Sequence, residues 1–288
     1  NALREEGYNI ESVNKKGYRL AEKPDDILSS ENIAYNLPTE FIGKKVIHLD
    51  TVGSTNDYAK EIGNKVSGGT LIISEQQTKG KGRLGRVWKS KSGDGIWMSL
   101  IIKPKIEPYK APFLTLVAGA SVVKALSNLD VEASIKWPND IIVHNKKICG
   151  ILTELSAEME RVNYVVIGIG INIKTIDFPD EIKEKATSLY KEGYKLSRVD
   201  IVRQFCIEFE KLYKGYILDG NKQDTLELCR KYSAIIGKQV YVIKNNKREL
   251  VKCIDINENG NLIVKEKNGE IQEIMSGEVS IRGVKGYV

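Results

Sequence analysis

A glycine-rich basic segment between Gln77 and Trp88 has the residue types needed to bind an anion. It lies within a stretch, from Gln76 to Gly93, that carries six lysines and arginines and no carboxylate. Glycines leave backbone N–H groups accessible and the cations supply positive charge, a combination that favours a transient anion. The sequence therefore predicts an anion-binding loop, although a basic surface loop without a ligand would have the same composition.

Two common phosphate-binding motifs do not account for this segment. Gly80, Gly82 and Gly85 have the spacing of a dinucleotide-binding turn, but such a turn must lead directly into a helix. The residues that follow, Lys89 to Gly95, are unsuited to open a helix. A Walker A loop is also excluded, since Gly85 is followed by Arg-Val instead of Lys-Ser or Lys-Thr. We therefore predict a flexible loop that covers its ligand after binding.

A carboxylate and an amide stand together after Lys136-Trp137-Pro138. Pro138 forces an extended or turn geometry, which places Asn139 and Asp140 at the edge of a strand. Such a pair can hold Mg²⁺ through oxygen and water ligands. On its own, the pair is better explained as an Asx-type turn.

Two further polar side chains occur in strands that are otherwise apolar. Lys147 opens one such strand, so its charge needs a phosphate or carboxylate partner unless the side chain extends to the surface. Asn172 lies in the second half of the strand that begins at Tyr164, and it needs a hydrogen-bond partner. Gly168 and Gly170 permit close approach of a ligand or another backbone there; a bulge with an internally bonded Asn172 fits equally well.

The composition argues against several other kinds of chemistry. There are two isolated histidines, and the four cysteines show no Cys-x-x-Cys spacing, which disfavours a metal centre, a Ser-His-Asp triad and a disulfide framework. The net charge of +6 suits an anionic partner such as a nucleotide, or simply a basic surface. No apolar run approaches the roughly 20 residues of a membrane span, and the first residues are charged. We expect a cytoplasmic protein without membrane contact.

The order of elements predicts an α+β fold with a mixed, mostly antiparallel sheet and helices on one face. Four strands between residues 135 and 173 follow one another with few helices between them, which favours antiparallel pairing. After Gly237 the strands are short, and Asn259-Gly260 and Asn268-Gly269 predict hairpins of a small closed SH3-like β-barrel. At the start, a helix end over Leu3 to Glu6 precedes a hairpin. The predicted domains are residues 1–22, a linker and helix over 23–44, a main domain over 45–236, and the barrel over 237–288.

Several of these segments together resemble one family, the biotin protein ligases. The resemblance rests on Gly80-Lys-Gly-Arg-Leu-Gly-Arg86, Lys136-Trp-Pro-Asn-Asp140, Lys147-x-x-Gly150 and Gly168-Ile-Gly-Ile-Asn172, in the family's order and spacing, and extends from about Lys45 to the C-terminus. It implies the catalytic fold of class II synthetases and biotin or lipoate ligases. It also implies that residues 1–20 are the helix end and wing of a winged helix-turn-helix, as in the ligases that repress biotin genes, with most of that domain outside this sequence.

The resemblance assigns a role to each candidate residue. Lys147 and Arg83 would be catalytic, and Asp140 is the candidate Mg²⁺ ligand. The biotin-binding residues would be Ser54, Thr55, Asn56, Gln77, Lys81, Gly82, Arg83 and Lys147. The ATP-binding residues would be Arg86, Trp88, Asn139, Asp140 and Asn172. Lys81 departs from the arginine usual in the family; it keeps the charge but loses the bidentate fork.

The implied reaction uses ATP and Mg²⁺ to convert biotin to biotinyl-adenylate and then transfers biotin to a lysine of a biotin carboxyl carrier protein. A homodimer, and operator DNA binding by a complete N-terminal domain, are further implied. Two alternatives stay open. One is a lipoate ligase, which shares the fold and the adenylate chemistry. The other is a biotin-sensing repressor that has lost catalysis, against which the retained set of Lys147, Asp140 and Asn172 argues.

Overall fold

The computed structural model describes residues 9–22, 26–244, 247–276, 279–284 and 286–288. The predicted helix end over Leu3 to Glu6 lies outside the described residues. The first described element is an antiparallel hairpin of β1 (Asn9–Val13) and β2 (Gly17–Glu22). The short helix α1 (Ser30–Ala34) follows, and the Ser29 side chain caps it by accepting a hydrogen bond from the Asn32 N–H.

A seven-stranded sheet forms the centre of the protein. Its strands are β3 (Val46–Val52), β4 (Leu71–Gln77), β5 (Gly95–Ile102), β6 (Ser134–Lys136), β7 (Asp140–Val143), β8 (Lys146–Ala157) and β9 (Val162–Asn172). The spatial order is β3-β4-β5-β9-β8-β7-β6. Only the β3–β4 pair is parallel, and the other pairs are antiparallel. The mixed, mostly antiparallel sheet predicted from the short connections is confirmed.

Four more helices follow: α2 (Thr55–Ile62), α3 (Phe113–Ser127), α4 (Arg198–Leu218) and α5 (Gln223–Lys231), of which α5 packs on α3, α4 and the C-terminal part of the chain. The longer helices α3 and α4 cover one face and share its large apolar core with inward-facing residues of the strands. The short helix α2 lies on the opposite face, where Ala59 packs with Tyr164 and Val166. The prediction of helices on one face therefore holds for the long helices α3 and α4. The short helix α2, on the other face, was not part of that prediction.

The helix α3 is the most apolar one. Residues Pro108–Ser127 form the one helical stretch in the described ranges that is long and apolar enough to cross a membrane, and 72% of the tested window is buried inside the protein. Gly119, Ala120 and Ser121 are fully or nearly fully buried in its middle. This composition therefore belongs to a core helix that packs against β8 and α4.

Strand alternation divides β9 between the core and the opposite face. Val165, Ile167, Ile169 and Ile171 enter the main core, and the residues between them face the other way. There, Tyr164 and Val166 pack under α2, while Gly168 and Gly170 leave the sheet uncovered by side chains of their own. The face opposite α3 and α4 is therefore open next to α2.

The C-terminal part forms a separate five-stranded antiparallel sheet. Its strands are β10 (Gln239–Lys244), β11 (Lys247–Ile256), β12 (Leu262–Lys265), β13 (Ile271–Ile274) and β14 (Ser280–Gly283), in the order β13-β12-β11-β10-β14. Among the described residues β13 and β14 stand at opposite ends of this order, so the pairings alone do not close the predicted barrel. The sheet contacts the main domain, since Trp137 Nε1 donates to the Gly260 carbonyl at 3.0 Å. The bounds of the four predicted domains remain a prediction.

The Glu210 side chain on α4 binds the chain segment that precedes the central sheet. Its carboxylate accepts hydrogen bonds from the backbone N–H groups of Glu40, Phe41 and Ile42, at 2.7 to 2.9 Å. Burial alone would raise the pKa of Glu210, but these bonds and Lys214 outweigh it and lower the pKa below the usual value.

We expect Glu210→Gln to lower the free energy of unfolding by about 1–3 kcal/mol, because charge-assisted bonds to buried backbone donors are lost. Since the folded-state pKa is lowered, the stabilisation is present above the usual pKa of glutamate and disappears as the pH falls below it. Urea unfolding of both proteins at several pH values measures this. The exposed Glu61→Gln is the control, and an equal loss in that variant would contradict the prediction.

Candidate active site

Glycines on two neighbouring strands form the floor of the site. Gly150 of β8 pairs with Gly170 of β9, and the indole of Trp88 lies directly on both. A Cβ atom at Gly170 would stand 2.5 Å from Trp88 Nε1, and one at Gly150 would stand 2.9 Å from the Trp88 ring. At Gly168 an added Cβ would collide with the Asn56 amide. These glycines therefore allow the side chains of Trp88 and Asn56 to approach the strands closely, as the positions of Gly168 and Gly170 suggested.

The N-terminus of α2 supplies a buried polar wall. Ser54 caps the helix, and the Gln77 amide oxygen accepts from both the N–H and the hydroxyl of Thr55, at 2.8 and 3.1 Å. Ser99 of β5 donates towards Thr55 at 2.8 Å and Asn56 at 2.6 Å. These side chains hold one another in fixed orientations, so a ligand would meet a preformed set of donors and acceptors.

The basic segment lies across this wall. Lys81 Nζ forms an ion pair with Asp57 at 2.6 Å, and the Gly82 N–H donates to the Arg86 carbonyl at 2.7 Å. Leu84 has a φ of 58° and is 64% exposed at the tip of a 3₁₀ turn, Arg83–Gly85. The segment is thus a tight, solvent-exposed turn in which Lys81 and Arg86 are exposed and Arg83 is half-buried.

Arg83 extends from this segment across the site. Its guanidinium donates to Asn139 Oδ1 at 2.7 Å and to the Ser276 carbonyl of the C-terminal sheet at 2.6 Å. Asn139 in turn donates to the Ile151 carbonyl at 2.9 Å. Arg83 therefore links the loop, the Asn-Asp pair and the C-terminal sheet.

Lys147 and Asp140 form the charged centre. Lys147 Nζ lies 2.5 Å from Asp140 Oδ1, and the Tyr287 hydroxyl donates to the other carboxylate oxygen. Burial opposes ionisation of Asp140, but Lys147 and Tyr287 outweigh it and lower the pKa of the carboxyl group. Asn172 donates to the Thr187 carbonyl at 3.1 Å, which supplies the partner its burial requires.

The structure brings all predicted site residues around two adjoining cavities. The narrower cavity is lined by Ser54, Thr55, Asn56, Gln77, Lys81, Gly82, Arg83 and Lys147. The larger cavity, of about 620 Å³, is lined by Arg86, Trp88, Asn139, Asp140 and Asn172. Arg83, Trp88, Asn139 and Lys147 line both, so they stand at the junction. The assigned roles remain predictions, but the predicted grouping is spatially coherent.

The narrower cavity has a volume of about 40 Å³. A dry cavity of roughly 150 Å³ is known to bind benzene. A ligand of that size therefore requires the lining residues of the narrower cavity to rearrange.

Three residues of the site were not singled out from the sequence. Ser99, Lys136 and Tyr287 line a cavity or bond to its lining residues. Lys136 could have been found by the argument used for Lys147, since it is a lysine in an apolar strand. Ser99 and Tyr287 carry no such signal, because a single hydroxyl in a strand or near a chain end is ordinary.

We expect Gly170→Ala to displace the Trp88 indole from the sheet, because the new methyl group would overlap it. Trp97 and Trp137 are almost fully buried, so a red shift of tryptophan emission would report Trp88. Gly119→Ala in α3 is the control, as its Cβ meets nothing nearer than Ile151 at 3.8 Å. An emission spectrum of Gly170→Ala identical to that of the control would refute this packing.

Comparison with known proteins identifies the family. The profile of the "Biotin/lipoate A/B protein ligase family" matches residues 49–172, and that of the "Biotin protein ligase C terminal domain" matches residues 235–282. The "Bifunctional ligase/repressor BirA" of Bacillus subtilis is 41% identical over 97% of this chain and 86% of its own length. The Escherichia coli protein of the same name is 28% identical over 98% of this chain and 87% of its own length.

Solved structures agree with the sequence relatives. The "Biotin protein ligase from Aquifex aeolicus in complex with biotin and ATP" superposes with a TM-score of 0.73 and 32% identity, over 83% of this chain and 99% of that one. Both parts of the chain and its overall fold are thus accounted for by the same group of enzymes. The chain belongs to the biotin protein ligase family.

Proposed function

We propose that this ligase activates biotin with ATP, forming biotinyl-adenylate, and transfers the biotin to a lysine of a biotin carboxyl carrier protein. The observation that carries the proposal is the junction of the two cavities. Lys147 and Arg83 both stand there, one from a strand and one from the basic segment. Two cations at one point can neutralise a carboxylate and a phosphate that must approach each other.

The narrower cavity is suited to the ring system of biotin. Its polar wall presents the hydroxyl of Thr55 and the amides of Asn56 and Gln77, which can match the donors and acceptors of a ureido group. Apolar side chains, Met98 and Ile169 among them, line the same cavity. This combination of fixed polar groups and apolar surface is typical of a small-molecule site.

The larger cavity is suited to ATP. Besides the five residues predicted for the nucleotide, it is lined by apolar groups such as Phe178 and Ile182, which can cover a purine base. Arg86 adds a cation on the phosphate side. A cytoplasmic location, where ATP and the carrier protein are available, is part of the proposal.

In the first step a biotin carboxylate oxygen attacks the α-phosphorus of ATP. A new P–O bond forms and the bond to the β-phosphate bridging oxygen breaks, so its electron pair leaves with pyrophosphate. Lys147, already paired with Asp140, and Arg83 offset the negative charge that gathers at the α-phosphate. In the second step the carrier lysine attacks the acyl carbon and AMP leaves. No protein nucleophile is needed.

The basic segment would act as the lid. Biotinyl-adenylate is a mixed anhydride that water hydrolyses, so the site must open for biotin and close again. The tight turn at Leu84 and the small volume of the biotin cavity both point to this movement. Lys81 holds the closed segment by a single ion pair to Asp57 instead of a bidentate arginine contact.

Mg²⁺ has a weak protein site here. The described residues contain no group of three histidine, cysteine, aspartate or glutamate side chains that could hold a metal ion. Asp140 is the one candidate, and Lys147 and Tyr287 already occupy its two oxygens. The carboxylate therefore does not fit as a ready metal ligand. Mg²⁺ that arrives with ATP would keep phosphate oxygens and water as its main ligands.

We expect the wild-type protein to catalyse ATP–pyrophosphate exchange with biotin and not with lipoate. Lys147→Ala should reduce this exchange by about 10²-fold or more, because the junction loses its fixed cation. Lys44→Ala, distant in the fold and bonded to the Leu37 carbonyl, is the control. If exchange were faster with lipoate than with biotin, lipoate would be the substrate. Undiminished exchange in Lys147→Ala would remove Lys147 from the mechanism.

A regulatory role is a second candidate, favoured by the β1–β2 hairpin. The hairpin precedes the catalytic sheet, as the wing of a winged helix-turn-helix would, and Lys15, Lys16 and Arg19 lie on its exposed turn and strand. A homodimer through the edge strand β3 would present two such domains to DNA.

A chain that includes the full N-terminal domain should bind operator DNA more tightly when biotin and ATP are present. Replacing the three hairpin cations with alanine should weaken DNA binding. It should not change how strongly that binding depends on biotin and ATP, because these side chains would contact DNA phosphates and not the small ligands. Electrophoretic mobility shift with and without biotin tests this. Equal DNA affinity of the variant and the wild type would exclude the hairpin from the interface.

A further inference from the structure

Lys136 is the most deeply buried cation near the nucleotide cavity. It ends β6, is 2% exposed and lines the larger cavity. Its ammonium nitrogen has no hydrogen-bond partner within the protein. A buried ammonium group carries three donors and no acceptor, so this arrangement is costly unless a ligand completes it.

Tyr287, near the C-terminus, holds this ammonium group from one side. The Lys136 Nζ atom lies 3.3 Å from the centre of the Tyr287 ring, and the Tyr287 hydroxyl bonds to Asp140. An aromatic face stabilises a desolvated cation but satisfies none of its N–H donors. The ring therefore fixes the position of Nζ and leaves its donors for another group.

The surrounding charges are unbalanced. Lys147, Arg86 and Arg282 surround Lys136 with further positive charge, and Asp140 is the one carboxylate acting against them. Burial, followed by these cations, lowers the pKa of Lys136 to about 7, although Asp140 opposes the shift. The cluster lacks negative charge, and a polyphosphate would supply it.

The position of Lys136 distinguishes one part of ATP from another. Lys147 and Arg83 line both cavities, whereas Lys136 lines the larger one alone. The α-phosphate, which meets biotin, belongs at the junction. Lys136 lies away from the junction, so it is placed to contact the part of ATP beyond the α-phosphate.

We propose that Lys136 binds the β- and γ-phosphates of ATP and stabilises the pyrophosphate leaving group, with Tyr287 as its positioning residue. This rests on the proposed adenylation. As the bond from the α-phosphorus to the bridging oxygen breaks, the electron pair moves onto pyrophosphate, next to the Lys136 ammonium. No proton is transferred in that step.

The test is calorimetric binding of α,β-methylene ATP, which keeps every phosphate but cannot release pyrophosphate, in the presence of biotin at pH 8. At this pH the terminal phosphate is already ionised, since the second phosphate pKa is about 6. Lys136→Met removes the cation and keeps an unbranched side chain of similar length. The Kd of the analogue should rise about tenfold or more, and that of biotin alone should stay nearly constant.

Matched variants separate this role from a structural one. Lys146→Met removes a lysine that lines neither cavity and should bind the analogue with the wild-type Kd. Tyr287→Phe keeps the ring under Nζ and should bind far better than Tyr287→Leu. An unchanged Kd in Lys136→Met would overturn the inference. Loss of biotin-dependent exchange in the wild type would instead refute the proposed function, and the exchange assay reports that separately.

Discussion

The alternation of side chains along β9 is the constraint on which the rest of the site depends. One set of its residues fills the core under α3 and α4, so the register of the strand is fixed by apolar burial. The other set must then face the opposite side, where Tyr164 and Val166 support α2 and Gly168 and Gly170 leave room. Because the same strand does both, the floor of the site is as rigid as the core beneath it.

That floor also holds one end of the cationic segment in place. Trp88 rests on Gly150 and Gly170, which anchors one end of the segment to the sheet. The other end is attached to α2 through an ion pair between Lys81 and Asp57, and Arg83 bonds to Asn139 and to the Ser276 carbonyl. Opening would break these contacts, whereas the indole contact can persist. Lid movement and a fixed catalytic geometry are compatible for this reason.

The charged centre draws on distant parts of the chain. Asp140 lies between Lys147 of β8 and Tyr287 near the C-terminus, and Arg83 bonds to a carbonyl of the C-terminal sheet. Several cations share one carboxylate, an arrangement that is favourable only when an anionic substrate joins it. The C-terminal sheet is therefore part of the site. A substrate bound there would help to hold the C-terminal sheet against the main domain.

Local pattern in the sequence was sufficient for the run of antiparallel strands between residues 135 and 173 and for the basic glycine segment, because periodicity and turn preference act over a few residues. It also marked Lys147 as a cation that needs a partner. Tertiary structure alone decided that Ser99 completes the polar wall, that α2 lies on the face opposite the long helices, and that Tyr287 covers Lys136. These contacts join residues from 43 to more than 100 positions apart, and no local pattern encodes which distant side chain will fill a given space.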